Sequence, residues 1–489
     1  MSYNENEVIP KEKFKFVQKD EMIHDTKLDT KPVGYLKDAF RRFSNNKGSI
    51  VCSIIILMLI LYAVFVPIFA KVPPSEKDGY YSYLLPKSEL LSKAGILTGC
   101  KDYELNQQSY DYYSAIPNAL VKLKGKQTKL QAGREQVYYK AEVDTYAKVG
   151  YVNLRMTEEK YQKALQYQEK TGTQLFYPII DQDKIASRSY KKDANAWYLT
   201  DPKGVAIKDA NGDYQNIFLT SPESEDGYAY YQTKMNGEQY EVRVLYSSWY
   251  EYTHGFKPSF LFGTDQYGYS ILSRLAAGGR FSLLLSVVIG SVTLLLGTVI
   301  GALEGYYGGL FDLLMERFKE IIYEVPTIVF MALFNIYFAK KLGVVFTVFV
   351  AFVFFSWIGT SSTVRAQFYR FKGQEYVMAA RTLGAKDARL IFRHILPNGI
   401  GFIITTSVLM IPSVIFSEAT FSYLGIINLQ TPTMTSVGTM LNNGQTTLAT
   451  FPHCIFFPAA FISILLICFN IFGNGLRDAF NPSLRGAEE

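Results

Sequence analysis

Residues 49–70 read SIVCSIIILMLILYAVFVPIFA, an apolar run with no charged side chain. A bilayer core takes roughly 20 helical residues to cross, so this run is long enough to span it. A cleaved signal peptide would have a shorter apolar core, a shorter leader and a small-residue cleavage site. The run is therefore expected to be a permanent transmembrane helix. Five more apolar runs follow, at about 281–303, 318–338, 343–364, 399–424 and 451–472. Hydrocarbon offers the backbone no hydrogen-bond partners, so the expected core is a polytopic α-helical membrane protein with six transmembrane helices.

Charge orients the bundle. Residues 1–48 are polar and lysine-rich and close with Lys37, Arg41, Arg42 and Lys47. The loop at 365–398 carries Arg365, Arg370, Lys372, Arg381, Lys386, Arg389 and Arg393, whereas 425–450 has no Lys or Arg. The tail at 474–489 carries Arg477 and Arg485. Basic residues concentrate in cytoplasmic loops, so both termini are expected in the cytoplasm. Lys340 and Lys341 fall on the other side, in a very short loop, and Arg274 and Arg280 precede the second run there. The formal charge of +6 is a modest excess of the kind such loops carry, and is not read as a nucleic-acid-binding signature.

Between the first two runs, residues 71–258 form a polar block holding 24 of the 36 tyrosines. That aromatic content argues against disorder. Residues 157–170 predict a helix, with Thr157 as cap, Glu158 and Glu159 in the first turn, and Gly172 just past the end. Residues 228–235 and 238–246 alternate around Asn236-Gly237, a hairpin signal; Asn211-Gly212 offers a weaker one. The block is expected to be an extracytoplasmic α+β domain inserted between helices 1 and 2. Its tyrosines suit a contact surface for a binding protein, a cover over the pore mouth, or simply a small core; the sequence leaves these open. Cys100 stands alone in the block, which rules out a disulfide within it, and the other cysteines (Cys52, Cys454, Cys468) lie in apolar runs.

Residues 375–398, EYVMAARTLGAKDARLIFRHILPN, form a basic stretch between two apolar runs. Tyr376, Ala379, Ala380 and Leu383 fall at helical spacing on one face, and Gly384 permits a sharp bend. A second helical stretch follows, and Pro397 marks its end or the turn after it. The small-residue pair Ala379-Ala380, Gly384 and the Leu396-Pro397 pair resemble the EAA loop of bacterial ABC-importer membrane subunits. Met378 stands where that motif often has an acid; Glu375 lies one turn earlier. Residues 262–283, FGTDQYGYSILSRLAAGGRFSL, resemble the signature preceding the second span in the oligopeptide, dipeptide and nickel branch. Ser270 stands there in place of an acid. Residues 305–309 (GYYGG), 417–425 (SEATFSYLG) and 473–485 resemble the same branch. The chain thus resembles its C-type permeases over most of 262–485, the block at 71–258 lying outside the resemblance.

The resemblance implies a type I permease core at 259–473 that forms half of a translocation pathway for peptides, or within the family for nickel or another small solute. It implies four kinds of partner: a homologous permease, two ATP-binding subunits, an extracytoplasmic substrate-binding protein and the bilayer. ATP and Mg would then bind the partners, and no G-x-x-x-x-G-K-[ST] occurs here. Coupling to the ATPase would fall to Glu375, Ala379, Ala380, Gly384, Ala385, Arg393, Leu396 and Pro397. Polar groups inside spans are costly, which singles out Glu418 with Ser422 and Tyr423 as pathway candidates, a structural hydrogen bond being the alternative. Glu320 and Glu324, flanking the third run, are a second candidate pair, with solvation at the cytoplasmic interface the favoured reading. Asp265, Gly268, Ser273, Arg274 and Arg280 are expected on an external amphipathic helix, with Ile271, Leu272 and Leu275 facing lipid or a partner. A membrane-anchored sensor or adhesin is the alternative of another class, against which six spans weigh.

Overall fold

The computed structural model describes residues 35–480, apart from 132, 133, 223, 236 and 237. A short helix, α1 (Tyr35–Asn45), leads into α2 (Lys47–Phe69), where the uncharged run leaves the backbone no option but its own hydrogen bonds. Asn46 caps α2 by accepting the Ser49 N–H at 3.1 Å.

The polar block is α+β, as expected. Strand β1 (Cys100–Asn106), helix α3 (Gln107–Ser114), strand β2 (Leu120–Gln131) and strand β3 (Arg134–Asp144) come first; the antiparallel sheet order is β1-β3-β2. Next come β4 (Tyr151–Met156), α4 (Glu158–Thr171), β5 (Phe176–Tyr177), β6 (Tyr231–Lys234), β7 (Gln239–Leu245) and α5 (Tyr246–His254). Central strand β7 pairs with β4 on one side and with β5 and β6 on the other. Helix α4 starts after Thr157 and stops at Gly172, whose φ of +69° closes it in the left-handed conformation. β6 and β7 pair antiparallel as the hairpin signal predicts, and the Asn236-Gly237 turn itself lies outside the described residues. Around Asn211-Gly212 isolated bridges such as Lys208 to Tyr214 form instead of a ladder.

Six tyrosines of the block (Tyr81, Tyr146, Tyr161, Tyr198, Tyr246 and Tyr250) are buried, so part of the tyrosine content is core material. Tyr81 and Tyr250 pack with Trp249 and Phe260 over the sheet residues Val242 and Val244. On the opposite face of β7 sits Arg243, 1% exposed, its guanidinium 3.8 Å from the Tyr151 ring centroid. It donates from Nε to the Ala194 carbonyl at 2.7 Å and from a terminal nitrogen to the Pro178 carbonyl at 3.1 Å. Burial pushes its pKa down to about 10. The side chain ties the irregular 178–218 segment to the sheet. Arg243→Ala orphans both carbonyls and should cost about 2–3 kcal/mol. Limited proteolysis of the full chain should then show earlier cleavage within 178–218; an unchanged digestion pattern would contradict this role.

The membrane-type helices continue with α6 (Ile271–Tyr307), α7 (Gly309–Tyr323), α8 (Thr327–Leu342), α9 (Val344–Phe371), α10 (Glu375–Thr382), α11 (Asp387–Arg389), α12 (Leu396–Val408), α13 (Met410–Tyr423), α14 (Val437–Gln445) and α15 (His453–Phe480). Among the described residues, α2, α6, α9, the helical path Asp387–Tyr423 and α15 are each long and apolar enough to cross a membrane. The run expected at 318–338 is not straight. It divides into α7 and α8, which meet at 79°. Pro326 explains the break: it lacks an N–H and disfavours helical geometry at Val325.

Helix α6 begins ten residues before the expected start of its apolar run at 281. Of the residues expected on a separate surface helix, Ser273, Arg274 and Arg280 therefore lie in its first turns, whereas Asp265 and Gly268 fall in non-helical chain before it. Ile271 and Leu275, expected to face lipid or a partner, are each 1% exposed and packed against α13, α14 and α15. The reason is polar satisfaction. Arg274 donates to the carbonyls of Pro74, Thr431 and Pro432 at 3.0–3.2 Å and lies over Tyr269. Its charge is thus spent inside the protein, and the turn need not lie on a surface.

On α6, Gly297, Gly301 and Gly305 recur every fourth residue and face α9. A Cβ on Gly301 would lie 2.2 Å from the Ser361 carbonyl oxygen, so the two backbones touch there. Where α2 meets α15, Gly475 makes room for the Ser49 side chain.

Candidate functional site

The 375–398 loop is built from two short helices joined by a left-handed glycine. Helix α10 ends in a Schellman closure: the Gly384 N–H donates to Arg381 O at 3.0 Å and the Ala385 N–H to Ala380 O at 3.1 Å. Gly384 has φ +84°, a conformation that a β-branched residue adopts only under strain. The chain then turns into α11 and a π-helical stretch, Leu390–Ile395, before α12. Pro397 does not end this second helix, as its sequence position suggests. It sits in the first turn of α12, where the preceding π turn has already reset the hydrogen-bond register.

One side of the loop is packed and the other is open. Val377, Leu390, Ile391 and Ile395 are buried against Ala302 and Tyr306 of α6 and Val364 and Phe368 of α9. Ala380, Ala385 and Leu396 are half-buried on the same side. Glu375, Ala379, Gly384, Arg393 and Pro397 are exposed, so the named residues divide between two roles. Tyr376, Ala379, Ala380 and Leu383 do not form one packed face: Leu383 is 88% exposed and Val377 is the buried contact. Asn398 donates to the Tyr376 hydroxyl at 3.1 Å and closes the loop end to end.

Glu418 is 1% exposed, and both carboxylate oxygens are occupied. Ser422 donates to Oε1 and Ser282 to Oε2, each at 2.9 Å. The cluster joins α13 to α6, and Gly438 brings α14 close to Ala419 beside it. Tyr423 is half-buried, and its carbonyl accepts from Asn442 at 2.7 Å. Glu418 is thus a hydrogen-bonded knot between helices. Glu320 is exposed and paired with Arg317, and Glu324 is exposed.

The residues from Asp265 to Arg274 form a clasp. The Asp265 carboxylate accepts the N–H groups of Tyr267 and Tyr269 at 2.9 and 3.0 Å, and burial raises its pKa. Gly268 (φ +81°) lies so near Asp78 that a Cβ would fall 1.7 Å from its carbonyl oxygen. Ser273 donates to the Val72 carbonyl at 2.7 Å, and Thr264 to the Tyr81 carbonyl at 2.5 Å. Arg280 is half-buried. Lys101 of the block also reaches the Thr450 carbonyl at 3.0 Å, and Tyr83 stacks on Phe451. The block is therefore fastened to α6 and to the loop before α15.

A buried charge cluster escaped the sequence reading. Lys319 on α7 donates to Glu304 on α6 at 2.8 Å, and Ser361 on α9 donates to the same oxygen at 3.1 Å. One turn away Arg365 grips Asp312 through both carboxylate oxygens, and Tyr369 donates to that carboxylate at 2.8 Å. The spacing of Asp312, Glu316 and Lys319 places them on one side of a helix, a signal that could have found the cluster. Arg365, counted in sequence as a loop charge, belongs to the body of α9.

Two family models match this chain. Residues 34–86 match the N-terminal TM domain of oligopeptide transport permease C, and residues 294–486 match the binding-protein-dependent transport system inner membrane component. A Bacillus subtilis protein, "Oligopeptide transport system permease protein OppC", is 41% identical over 224 residues, spanning 46% of this chain and 72% of that one. The chain belongs to this family of ABC importer permeases. A second B. subtilis member, "Dipeptide transport system permease protein DppC", is 38% identical over 225 residues, 46% of this chain and 69% of its own. A solved MetNI methionine ABC transporter superposes with a TM-score of 0.35 at 13% identity, over 42% of this chain and 96% of that one. As a permease of this family the chain is an integral membrane protein, works with ATPase and substrate-binding partners, and leaves ATP hydrolysis to separate subunits. The matched family ranges leave residues 87–293 between them, so most of the polar block is additional to both models.

Proposed function

We propose that this permease forms half of the translocation pathway of an importer for oligopeptides or dipeptides, paired with a second homologous permease and two ATP-binding subunits. Peptides are the cargo named in its relatives, and that naming supports the choice. In this reading the bent pair α7–α8 counts as one span, giving six. Both termini and the 375–398 loop lie in the cytoplasm, and the 71–258 block lies outside, where the substrate-binding protein delivers cargo. ATP and Mg are held by the partner subunits.

The observation that carries the coupling assignment is the two-sidedness of the loop. Its inner side is locked to α6 and α9, while Met378, Ala379 and Leu383 project outward. An exposed Leu383 beside a small Ala379 offers an apolar tip that a partner groove can enclose. ATP-driven closure of the partners would move this tip, and its packed side would carry the movement into the spans. Ala380 packs inward and serves that second task.

Ala379→Trp blocks close approach on the open side, and Gly384→Val strains the bend. Each should cut peptide uptake by at least about tenfold, with ATPase subunits lost on co-purification from detergent. The variants should still insert and purify as folded permease. Normal uptake and normal ATPase retention in both would overturn the coupling assignment.

A further inference from the structure

We propose that Tyr306 is the positioning residue that transmits movement of the 375–398 loop into α6. The proposal rests on the coupling assignment above and adds a route through which it acts. Tyr306 stands in the last turn of α6, within the GYYGG stretch, and is 9% exposed. Its hydroxyl donates to Oδ1 of Asp387 at 2.6 Å, across 81 residues of sequence. Asp387 opens α11 immediately after the Gly384 bend, so it moves with the tip of the loop. The guanidinium of Arg381, on the other arm of the bend, lies 5.8 Å from the centroid of the Tyr306 ring. One side chain of α6 therefore contacts both arms of the loop. Just past the end of α9, Lys372 donates to the carbonyl of Gly305 at 2.8 Å and holds the same turn.

The rest of the loop's inner surface is apolar: Val377, Leu390, Ile391 and Ile395 against Ala302, Val364 and Phe368. Apolar contacts hold two elements together but allow them to slide. A short hydrogen bond to a carboxylate fixes direction as well as distance, and is stronger than one between neutral groups. Beyond Tyr306, the two glycines Gly308 and Gly309 take φ of +66° and +62° and reverse the chain into α7. Movement imposed on Tyr306 thus reaches the α6–α7 turn directly, beside the Glu304–Lys319 pair. The hydroxyl acts through Asp387 and touches no substrate, which makes its role positional.

The test uses the complete importer reconstituted in proteoliposomes, with uptake, substrate-stimulated ATPase activity and ATPase-subunit retention measured together. Tyr306→Phe removes only the hydroxyl. It should lower uptake and the stimulated fraction of ATPase activity by about tenfold, with ATPase subunits retained. Asp387→Ala should do the same. Asp387→Asn keeps an acceptor oxygen and should stay within about threefold of the parent. A merely structural bond would lower the amount of folded complex and leave stimulation per complex unchanged; that result would overturn the proposal. So would normal stimulation in Tyr306→Phe, or loss of the ATPase subunits from it, since the hydroxyl would then transmit nothing or serve docking instead. Failure of the coupling assignment itself is read separately, from Ala379→Trp and Gly384→Val. If those two transport normally the loop is not the coupling element, whatever Tyr306→Phe does.

Discussion

Gly301→Leu is expected to abolish accumulation of folded permease. The reason lies in a backbone contact that no side-chain rotamer can relieve. A Cβ at position 301 meets the Ser361 carbonyl oxygen at 2.2 Å and the Ser361 carbonyl carbon at 3.0 Å. Helix α9 would have to retreat, and it is fixed on both sides of that point. At Gly297 a Cβ would fall 2.5 Å from that of Thr360; at Gly305, 2.5 Å from that of Phe368. Overpacking a single site commonly costs about 1–3 kcal/mol, and here the retreat also breaks contacts at the two flanking sites. It separates Ser361 from Glu304 as well, which leaves a buried carboxylate with fewer donors. Gly290→Leu is the matched control, because the space beside Gly290 in the same helix is open. Size-exclusion profiles in detergent should show a monodisperse peak for Gly290→Leu and aggregate or nothing for Gly301→Leu. A normal peak for Gly301→Leu would mean that α6 and α9 do not meet backbone to backbone.

These contacts also explain what the sequence reveals and what it conceals. The 49–70 run was legible because an uncharged run of that length has few structural choices; helix α2 spans Lys47–Phe69. The loop around Gly384 was legible because a glycine between two helical periods marks a bend. Which side of it packs was not legible, since only the position of α6 makes Val377 the buried residue and leaves Leu383 exposed. The start of α6 was hidden for a related reason. Ser273 and Arg274 resemble surface residues until their acceptors are known, and those acceptors lie 157 to 201 residues away. The bend at Pro326 was visible in the sequence, yet hydropathy alone smooths over it. Glu418 stood out as an isolated acid in an apolar run, but its role depends on Ser282, 136 residues earlier. Local chemistry reads well from a sequence; partners brought together by packing do not.

Lys319→Met is expected to destabilise the permease far more than Glu304→Gln, although each removes one partner of the same buried pair. The asymmetry follows from the second partners. Lys319 also pairs with Glu316, which is partly accessible, so it keeps a counter-charge when Glu304 is neutralised. Glu304 is fully buried, and both its donors, Lys319 and Ser361, meet at Oε2; among the described residues Oε1 has no hydrogen-bond partner. Removing Lys319 therefore strands a carboxylate with one hydroxyl. An uncompensated buried charge costs about 3–5 kcal/mol, whereas neutralising both members is often close to neutral. The double variant Glu304→Gln/Lys319→Met should accordingly recover most of the loss. Thermal unfolding of the purified complex, taken round the four corners of this cycle, gives the coupling directly. The expected order of midpoints is parent, close to the double variant and to Glu304→Gln, with Lys319→Met well below. Additive losses would show that the two side chains do not sense each other. An equal loss in both single variants would show that Glu316 does not hold Lys319. Agreement with the predicted order would locate the junction of α6, α7 and α9 at a single buried carboxylate, two residues from Tyr306 and the loop it holds.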